Sequence, residues 1–332
     1  MRVGLALPQF DISVPGERPL RWATVAGWAC RAEAAGFDSL WLADHLFWDV
    51  ARYGGPAEPT SVLDPLASLA ALARTTIRAR LGTLVLCAPL RPPSVLAKAL
   101  ATLDVVSGGR LTVGMGAGWY EPEFAAAGVP FLSPGARLDQ LEEAITVLRG
   151  MWGGGPFSHA GRYWTVDAAM CLPRPVQQPA PPIVVGGRGD RLLEVAARCA
   201  DGWNTVWAWT REAYDQRVRT LRAACERVGR DPASISLSLG LLTLVGESEA
   251  DVRHRFERLR GVAPPGVLDR VPLEEWRRGR LVGTVEQVRE QVAGWADAGV
   301  DELIVGAGPL PFTVVHPDDL DAIAHAVGLG AG

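Results

Sequence analysis

The sequence predicts an α/β protein folded as a closed (β/α)8 TIM barrel with insertions, in a single domain spanning residues 1–332. One observation is a helix-to-strand unit near both ends of the chain, at residues 34–42 (Ala-Ala-Gly-Phe-Asp, then Ser-Leu-Trp-Leu) and 297–305 (Asp-Ala-Gly-Val-Asp, then Glu-Leu-Ile-Val). In both copies a glycine ends a helix and a buried parallel strand follows. A second observation is that apolar strand segments alternate with helical segments at even spacing, without a long linker. A doubly wound open sheet is the alternative, and the even spacing favours closure.

The predicted strands are short apolar runs bounded by glycine, proline or charged residues. They lie at residues 3–8, 38–44, 79–87, 110–115, 182–187, 201–204, 235–245 and 301–306. The predicted helices carry apolar residues at helical spacing. They lie at residues 20–35, 64–74, 92–106, 136–151, 189–199, 210–228, 248–260, 284–298 and 317–327. This order gives the strand-then-helix alternation of a barrel.

Two helix starts carry specific capping signals. Asp64 precedes Pro65, and an aspartate cap followed by proline is typical of a helix N-terminus. Thr284 and Gln287 have the spacing of a capping box. Three segments rich in glycine and proline, or lacking apolar periodicity, interrupt the pattern and are interpreted as insertions. They lie near residues 47–62, 117–135 and 153–182, the last with a hairpin around residues 163–166.

The composition is that of a folded protein with a large core. Apolar residues make up 48% of the 332 residues, charged residues 21%, and the formal net charge is −4. Because there is no basic run, nucleic acid is not expected as a ligand. No segment reaches the roughly 18 consecutive apolar residues of a membrane span. The chain starts with a strand pattern instead of a signal-peptide pattern, so we expect a cytoplasmic protein.

Residues that ligate metals or form covalent intermediates are sparse. The five cysteines are far apart, which predicts neither a disulfide framework nor a zinc site. The five histidines are scattered, so a metal hydrolase is not indicated. Lys98 is the only lysine and falls in a predicted helix, which disfavours Schiff-base chemistry. We therefore expect no bound metal.

The first candidate catalytic residues follow from their position at a strand end. Chemistry in parallel α/β folds lies at the carboxyl ends of the strands, and Asp44 and His45 end the second predicted strand. A histidine titrates near neutrality and can donate or accept a proton beside a redox ring. The alternative is a hydrogen-bonded histidine that lines a loop.

Two glycine-rich segments follow later strands. Gly116-Ala117-Gly118 comes after the fourth strand, where missing side chains let a flat ring or a phosphate approach the backbone. The alternative there is a tight turn. Gly186-Gly187-Arg188-Gly189 joins the fifth strand to a helix, and free amides with one arginine suit an anionic group. The alternative is a short turn with a solvated arginine.

Several tryptophans come after predicted strand ends. They are Trp48, Trp119, Trp203, Trp207 and Trp209. Either they form the wall of an apolar pocket for a flat ligand, or they are core residues under long loops. Their number near one mouth favours a pocket.

Four segments together resemble the bacterial luciferase-like monooxygenase superfamily, and the resemblance is greatest to its coenzyme F420-dependent oxidoreductase branch. It extends over nearly the whole chain. The segments are Gly36 to His45, Gly109 to Trp119, Arg174 to Gln177 with Pro182 to Gly187, and Ala200 to Asn204. The family fold is a (β/α)8 barrel, as the strand order also predicts.

The resemblance implies roles for the candidate residues. Asp44 and His45 would meet the cofactor ring, and His45 would be catalytic. A non-proline cis peptide bond at Leu84–Val85 would support the ring from behind. Gly116, Ala117 and Gly118 would lie against the cofactor, and Gly186, Gly187, Arg188 and Gly189 would bind its phosphate. Some related sugar-phosphate dehydrogenases have a catalytic glutamate where this chain has Trp119, so a sugar phosphate is disfavoured.

Three functional hypotheses follow. The first is hydride transfer between coenzyme F420 and a small organic substrate that contacts Trp48, Trp119, Trp203 and Asn204. The second is an FMN-dependent monooxygenase that uses oxygen and a separate flavin reductase. The third is a barrel that binds a ligand without catalysis. A homodimer is left open, and no nucleic-acid or membrane partner is expected. The polyanionic tail of F420 needs basic residues, for which Arg52, Arg91, Arg188 and Arg191 are candidates.

Overall fold

The computed structural model describes residues 1–329 and shows eight parallel strands that close into a barrel. The barrel strands are β1 (Arg2–Ala6), β2 (Ser39–Leu42), β3 (Arg80–Thr83), β4 (Leu111–Gly116), β5 (Ile183–Gly186), β6 (Gly202–Trp207), β7 (Ser236–Gly246) and β8 (Glu302–Gly306). They pair in chain order, and β8 pairs with β1 to close the ring, with Glu302 opposite Arg2. The predicted TIM barrel is confirmed, and the open-sheet alternative is wrong.

Helices surround the barrel and cover its outer face. They are α1 (Trp22–Ala34), α2 (Pro65–Thr75), α3 (Pro93–Ser107), α4 (Glu121–Ala126), α5 (Pro134–Trp152), α6 (Asp190–Cys199), α7 (Arg211–Arg227), α8 (Glu249–Val262), α9 (Leu273–Trp276), α10 (Val285–Asp297) and α11 (Pro317–Ala326). Alternate strand residues such as Leu5 and Leu40 pack under these helices in one large apolar cluster. No helix within residues 1–329 is long and apolar enough to span a membrane.

Both predicted helix caps are present. The Asp64 side chain accepts a hydrogen bond of 2.9 Å from the backbone N–H of Ala67. Thr284 and Gln287 form the reciprocal hydrogen bonds of a capping box at the start of α10. Both signals are local in sequence, which is why they could be read without knowledge of the fold.

The three predicted insertions differ in their structure. The third contains the expected hairpin, formed by strands Phe157–Ala160 and Thr165–Ala169. The second contains α4, which was not predicted because six residues are too few to show helical periodicity. A further short strand, Leu281–Thr284, pairs with the end of β7 and was not predicted.

The indole of Trp41 on β2 is buried inside the barrel, in an apolar cluster with residues of other strands such as Ala6 and Ile304. A Cβ atom placed on Gly82 would lie 2.3 Å from the Trp41 ring, and one on Gly4 would lie 2.7 Å from its Nε1 atom. Trp41 Nε1 donates a hydrogen bond of 2.8 Å to Ser39. The two glycines are therefore needed because their missing side chains make room for the indole.

The amino end of the barrel is polar. Arg2 and Glu302 form an ion pair of 3.3 Å, and Arg80 donates to the Thr112 hydroxyl at 3.1 Å. Burial lowers the pKa of Arg80, and the nearby charge of Arg2 lowers it further. A cavity of 270 Å³ lies between these side chains. This end is opposite to the strand ends that bear the candidate site.

Candidate active site

The carboxyl ends of the strands bring most of the predicted site residues to one mouth of the barrel. His45 follows β2, Val85 follows β3, Gly118 follows β4, Gly187 follows β5 and Trp207 ends β6. Because all strands of a parallel barrel end on the same side, these residues surround one shared opening. Residues far apart in sequence are thus combined into one site.

Aromatic rings enclose His45. The centroid of its imidazole lies 5.8 Å from Trp119, 6.0 Å from Trp48, 6.2 Å from Phe10 and 6.3 Å from Tyr120. The His45 side chain is 14% exposed and Trp119 is 45% exposed, whereas Trp48 is only 3% exposed. Trp119 is therefore available to a substrate, while Trp48 supports the imidazole from behind in this structure. The predicted substrate contact through Trp48 is replaced by this supporting role.

Asp44 lies below the mouth instead of on its surface. Its fully buried carboxylate accepts a hydrogen bond of 2.8 Å from the backbone N–H of Cys87 and pairs with Arg91. These contacts attach the segment after β3 to the end of β2. The other carboxylate oxygen, Oδ1, is buried and has no hydrogen-bond partner within residues 1–329.

Val85 forms one wall of the mouth. The Leu84–Val85 peptide bond is cis, as the family resemblance implies. Cβ atoms placed on Gly114, Gly116 and Gly186 would lie 3.0, 2.7 and 2.8 Å from the Val85 side chain. Gly116 was predicted to leave room for the cofactor, but the space left by its missing side chain is occupied by Val85. Leu84 is buried and Val85 is half-buried, so Val85 is the member of the pair nearer the opening.

A glycine is needed at position 118 for a reason different from the predicted one. Its φ angle is +75°, and an added Cβ would lie 2.6 Å from both Cys87 Sγ and Phe124 Cζ. This glycine lets the chain turn tightly and lets α4 pack against the end of β4. Ala117 beside it is half-buried against the outer core. Neither residue presents a clear cofactor cradle by itself.

The loop after β5 leads into the N-terminus of α6. Gly187 has a φ angle of +147°, and an added Cβ would lie 2.6 Å from Leu192 Cδ1. Trp203 Nε1 donates 2.9 Å to the carbonyl oxygen of Gly187, which holds the loop. Gly189 is the exposed N-cap residue of α6, so the loop offers free backbone amides at a helix start.

Three arginines gather at one side of the mouth, around Tyr53. Arg52 lies 4.7 Å above the Trp119 ring, and Arg188 lies 4.7 Å above the ring of Trp209. Burial raises the pKa of Tyr53, and the charges of Arg52, Arg188 and Arg280 oppose this. Within residues 1–329, none of these three arginines forms an ion pair with a carboxylate. The mouth therefore has a mainly positive region, named below the arginine group (Arg52, Arg188 and Arg280), although the charge of Glu275 acts on Arg280.

Two other arginines that were candidates for binding the anionic tail of F420, Arg91 and Arg191, form ion pairs with carboxylates of the protein. Arg91 pairs with Asp44 and, at 3.1 Å, with Asp64. Arg191 pairs with Asp139 on α5. Their role as tail ligands stays a prediction, and carboxylates of the protein already pair with both. Arg280, which the sequence did not single out because its segment showed no regular pattern, lies near Tyr53 with Arg52 and Arg188.

Glu123 is a second residue that the sequence did not single out. It lies on α4, and its side chain is only 4% exposed. Its Oε2 atom is 2.9 Å from His45 Nδ1, and its Oε1 atom accepts the backbone N–H of Leu46 at 2.5 Å. Some related dehydrogenases have a glutamate directly after the glycine loop, at the position of Trp119. Glu123 lies four residues after Trp119, on a helix that was not predicted.

Two predicted substrate residues do not reach the mouth. Trp203 is completely buried between β6 and α7, with its ring 5.7 Å from that of Tyr214. Asn204 is 2% exposed and donates 2.8 Å to Ser238 inside the barrel. The interpretation of both as substrate contacts is wrong because they are core residues of β6. Trp207, at the end of the same strand, does lie at the mouth, 5.3 Å from Phe312.

Comparison with known proteins agrees with this architecture. Residues 1–302 match the family described as luciferase-like monooxygenase. The F420-dependent hydroxymycolic acid dehydrogenase of Mycobacterium tuberculosis is 31% identical over 295 residues, covering 87% of this chain and 78% of the relative. The FMNH(2)-dependent dimethylsulfone monooxygenase of Pseudomonas putida is 26% identical over 283 residues, covering 77% of this chain and 76% of the relative.

A solved structure supports the fold. An F420-dependent secondary alcohol dehydrogenase in complex with an F420-acetone adduct is similar with a TM-score of 0.78 and 21% identity, over 98% of both chains. At this identity the likeness concerns the barrel and not the ligand. Together with the family match over most of the sequence, these findings show that the chain belongs to the luciferase-like monooxygenase family.

Proposed function

We propose that this oxidoreductase transfers a hydride between coenzyme F420 and a small, mainly apolar substrate with an alcohol or carbonyl group. The arginine group is the observation that carries the choice of cofactor. A relative described as an F420-dependent hydroxymycolic acid dehydrogenase supports the substrate class. The exposed aromatic surface of Trp119 beside His45 supports an apolar substrate.

The arginine group favours F420 over FMN because of its charge. FMN carries one phosphate, which the amides of the Gly186–Gly189 loop and one guanidinium could hold. F420 carries a phosphate and a further polyanionic tail. Arg52 and Arg280 add two positive charges beside Arg188, and none of the three forms a close ion pair within residues 1–329, although the charge of Glu275 acts on Arg280. A ligand with several negative charges fits this region better than one with a single phosphate.

Two further features of the mouth fit a deazaflavin ring. The buried Asp44 Oδ1 atom lacks a donor among the described residues, so a ligand N–H or O–H could satisfy it. Val85 presents an apolar side chain held in place by three glycines. The residues present are thus compatible with a flat ring that has polar edges.

The protein residues provide binding and proton transfer. When bound, F420 supplies the donor or acceptor of two electrons as hydride. His45 Nδ1 faces Glu123, which leaves Nε2 as the nitrogen that exchanges a proton with the substrate hydroxyl or carbonyl oxygen. Trp119, Tyr120 and Trp207 exclude water from the reacting atoms.

The cofactor assignment is tested by titrating the protein with F420 and with FMN and following ring absorbance. We expect tighter binding of F420. Arg52→Ala and Arg280→Ala should each weaken the binding of F420 by about 10-fold, if each removes one charged hydrogen bond. Their effect on FMN should be smaller, since FMN has no tail. Arg191→Ala is the matched control, because that arginine pairs with Asp139 outside the mouth and should leave both affinities unchanged.

Tighter binding of FMN than of F420 would reverse the order of the two proposals. The protein would then be a monooxygenase that uses reduced FMN and oxygen, with a separate flavin reductase as partner. The FMNH(2)-dependent relative supports this alternative. Equal losses of F420 and FMN in the arginine variants would place the arginine group at the phosphate and remove its argument for the tail.

A further inference from the structure

Glu123 is held firmly at the mouth by the packing of α4. The helix starts directly after the glycine turn at Gly118, and Phe124 fills the space that a side chain at Gly118 would need. Phe124 is 1% exposed, so the next residue along α4 from Glu123 is anchored in the core. This packing places a buried carboxylate next to the end of β2.

The two carboxylate oxygens of Glu123 contact two consecutive residues, His45 and Leu46, one oxygen each. Oε2 lies 2.9 Å from His45 Nδ1, and Oε1 accepts the N–H of Leu46. No lysine or arginine in residues 1–329 forms an ion pair with Glu123, so His45 is its only basic partner there. The titratable groups nearby are Cys87 and Tyr120, whose pKa values the Glu123 charge helps to raise.

We infer that Glu123 is a positioning residue that holds the His45 ring in one orientation and keeps its proton on Nδ1. A carboxylate can only accept a hydrogen bond, so the nitrogen that faces it must carry hydrogen. Nε2 is then the free acceptor. The claim about the proton on Nδ1 concerns this chain alone, whereas its catalytic consequence rests on the proposed function.

The consequence for alcohol oxidation can be written for each atom. The substrate O–H bond breaks and its proton moves to His45 Nε2, which turns the ring into an imidazolium. The electron pair left on the oxygen would form the carbonyl bond, and F420, when bound at the mouth, would accept the hydride that leaves the same carbon. The Glu123 carboxylate balances the new positive charge on the imidazolium. Carbonyl reduction follows the same path in reverse.

Glu123→Gln is the informative change because glutamine has the same shape but no charge. Its amide oxygen can still accept the N–H of Leu46, so the fold of this corner is preserved. With that oxygen on Leu46, the amide nitrogen faces His45 Nδ1 and donates to it, so the ring hydrogen moves to Nε2. The imidazolium also loses its counter-charge.

The first test needs neither cofactor nor substrate. Long-range ¹H–¹⁵N spectra of the histidine rings, at a pH near 8.5, report which nitrogen carries hydrogen, and His45→Ala identifies the signals of His45. We expect hydrogen on Nδ1 in the wild type and on Nε2 in Glu123→Gln. Asp318→Asn is the matched control, since it removes the carboxylate 3.4 Å from the exposed His316 and should leave the His45 signals unchanged. A wild-type His45 without hydrogen on Nδ1 would overturn the inference, whatever the variants do.

The second test separates positioning from structure. Glu123→Gln should lower kcat about 10²-fold while KM and the F420 dissociation constant change less than about threefold. In the His45→Ala background, Glu123→Gln should have no further effect on kcat, because the two residues act as a unit. An additive loss in the double variant, or unchanged kcat in Glu123→Gln, would refute the positioning role. If the wild type turns over no substrate with F420, the proposed function fails, while the spectra still decide on the Nδ1 proton.

Discussion

The packing of Val85 against its three glycines allows a sharp test by a double-mutant cycle with Gly116. Gly116→Ala would place a methyl group 2.7 Å from Val85 Cγ2, well inside contact distance. The φ angle of Gly116 is not in the left-handed region, so alanine is compatible with its backbone. The cost of the substitution therefore comes from crowding against Val85 and not from backbone strain.

The magnitudes follow from the volumes. Overpacking by one methyl group at a well-packed position costs about 1–3 kcal/mol of unfolding free energy. Val85→Ala removes two methyl groups from a half-buried side chain, which costs about 1–1.5 kcal/mol at roughly 0.8 kcal/mol per buried group. In the double variant, the new methyl at position 116 occupies space that valine has vacated. We expect a total loss of about 1 kcal/mol, and hence a favourable coupling of about 1–3 kcal/mol.

The assay is urea unfolding of the wild type, both single variants and the double variant, analysed by linear extrapolation. Gly27→Ala is the matched control, because it lies in the middle of α1 with no atom within 4 Å of an added Cβ. It should stabilise the protein by about 0.5–1 kcal/mol. If the losses at Val85 and Gly116 add within about 0.5 kcal/mol, Val85 does not fill the space beside Gly116 and the description of this wall is wrong.

Three other predictions follow from the mouth and its surroundings. His45→Ala should leave the protein folded but lower its melting temperature, because Glu123 Oε2 loses its partner, and it should lower turnover with a cognate substrate about 10²–10⁴-fold, whereas unchanged turnover would reduce His45 to a pocket-lining residue. Gly187→Val should lower both stability and F420 affinity, because valine meets Leu192 and a φ of +147°, and calorimetry with cofactor titration would detect both losses. Burial raises the pKa of the Cys87 thiol to about 12 from 9.0, so folding disfavours the thiolate. The stabilisation that comes from this pKa difference is complete below pH 9 and declines as the pH rises towards 12. Cys87→Ala should therefore lose less unfolding free energy at alkaline pH than the wild type, as measured by urea unfolding.

The parts of the fold that were predicted correctly depend on signals local in sequence. The Asp64 cap, the Thr284 capping box and the hairpin of the third insertion all involve residues within a few positions of one another. The strand-end rule placed His45 at the mouth, because it depends only on where an apolar strand stops. These features needed no knowledge of which residues become neighbours in the folded chain.

The errors concern contacts between distant residues. Glu123 meets His45 across 78 positions, and nothing near either residue indicates the pairing. Trp203 and Trp207 lie on one strand, yet only Trp207 lies at the mouth. The sequence could not distinguish them, because a strand buried on both faces has no polar alternation that shows its orientation. Gly116 and Gly187 were correctly recognised as special, but the side chains that explain them, Val85 and Leu192, come from other parts of the chain.

The indole of Trp41 has a kinetic consequence. The indole and its apolar neighbours are buried inside the barrel, so the mouth and the polar cavity at the amino end are separate spaces. A ligand at the mouth therefore has access from one end of the barrel only. Ligands that enter at the mouth must leave by the same route. A cofactor ring resting on Val85 would lie deeper than a substrate beside Trp119. Cofactor would then bind first and leave last, so steady-state kinetics should show an ordered sequence in which the oxidised and reduced forms of the cofactor compete for the free enzyme.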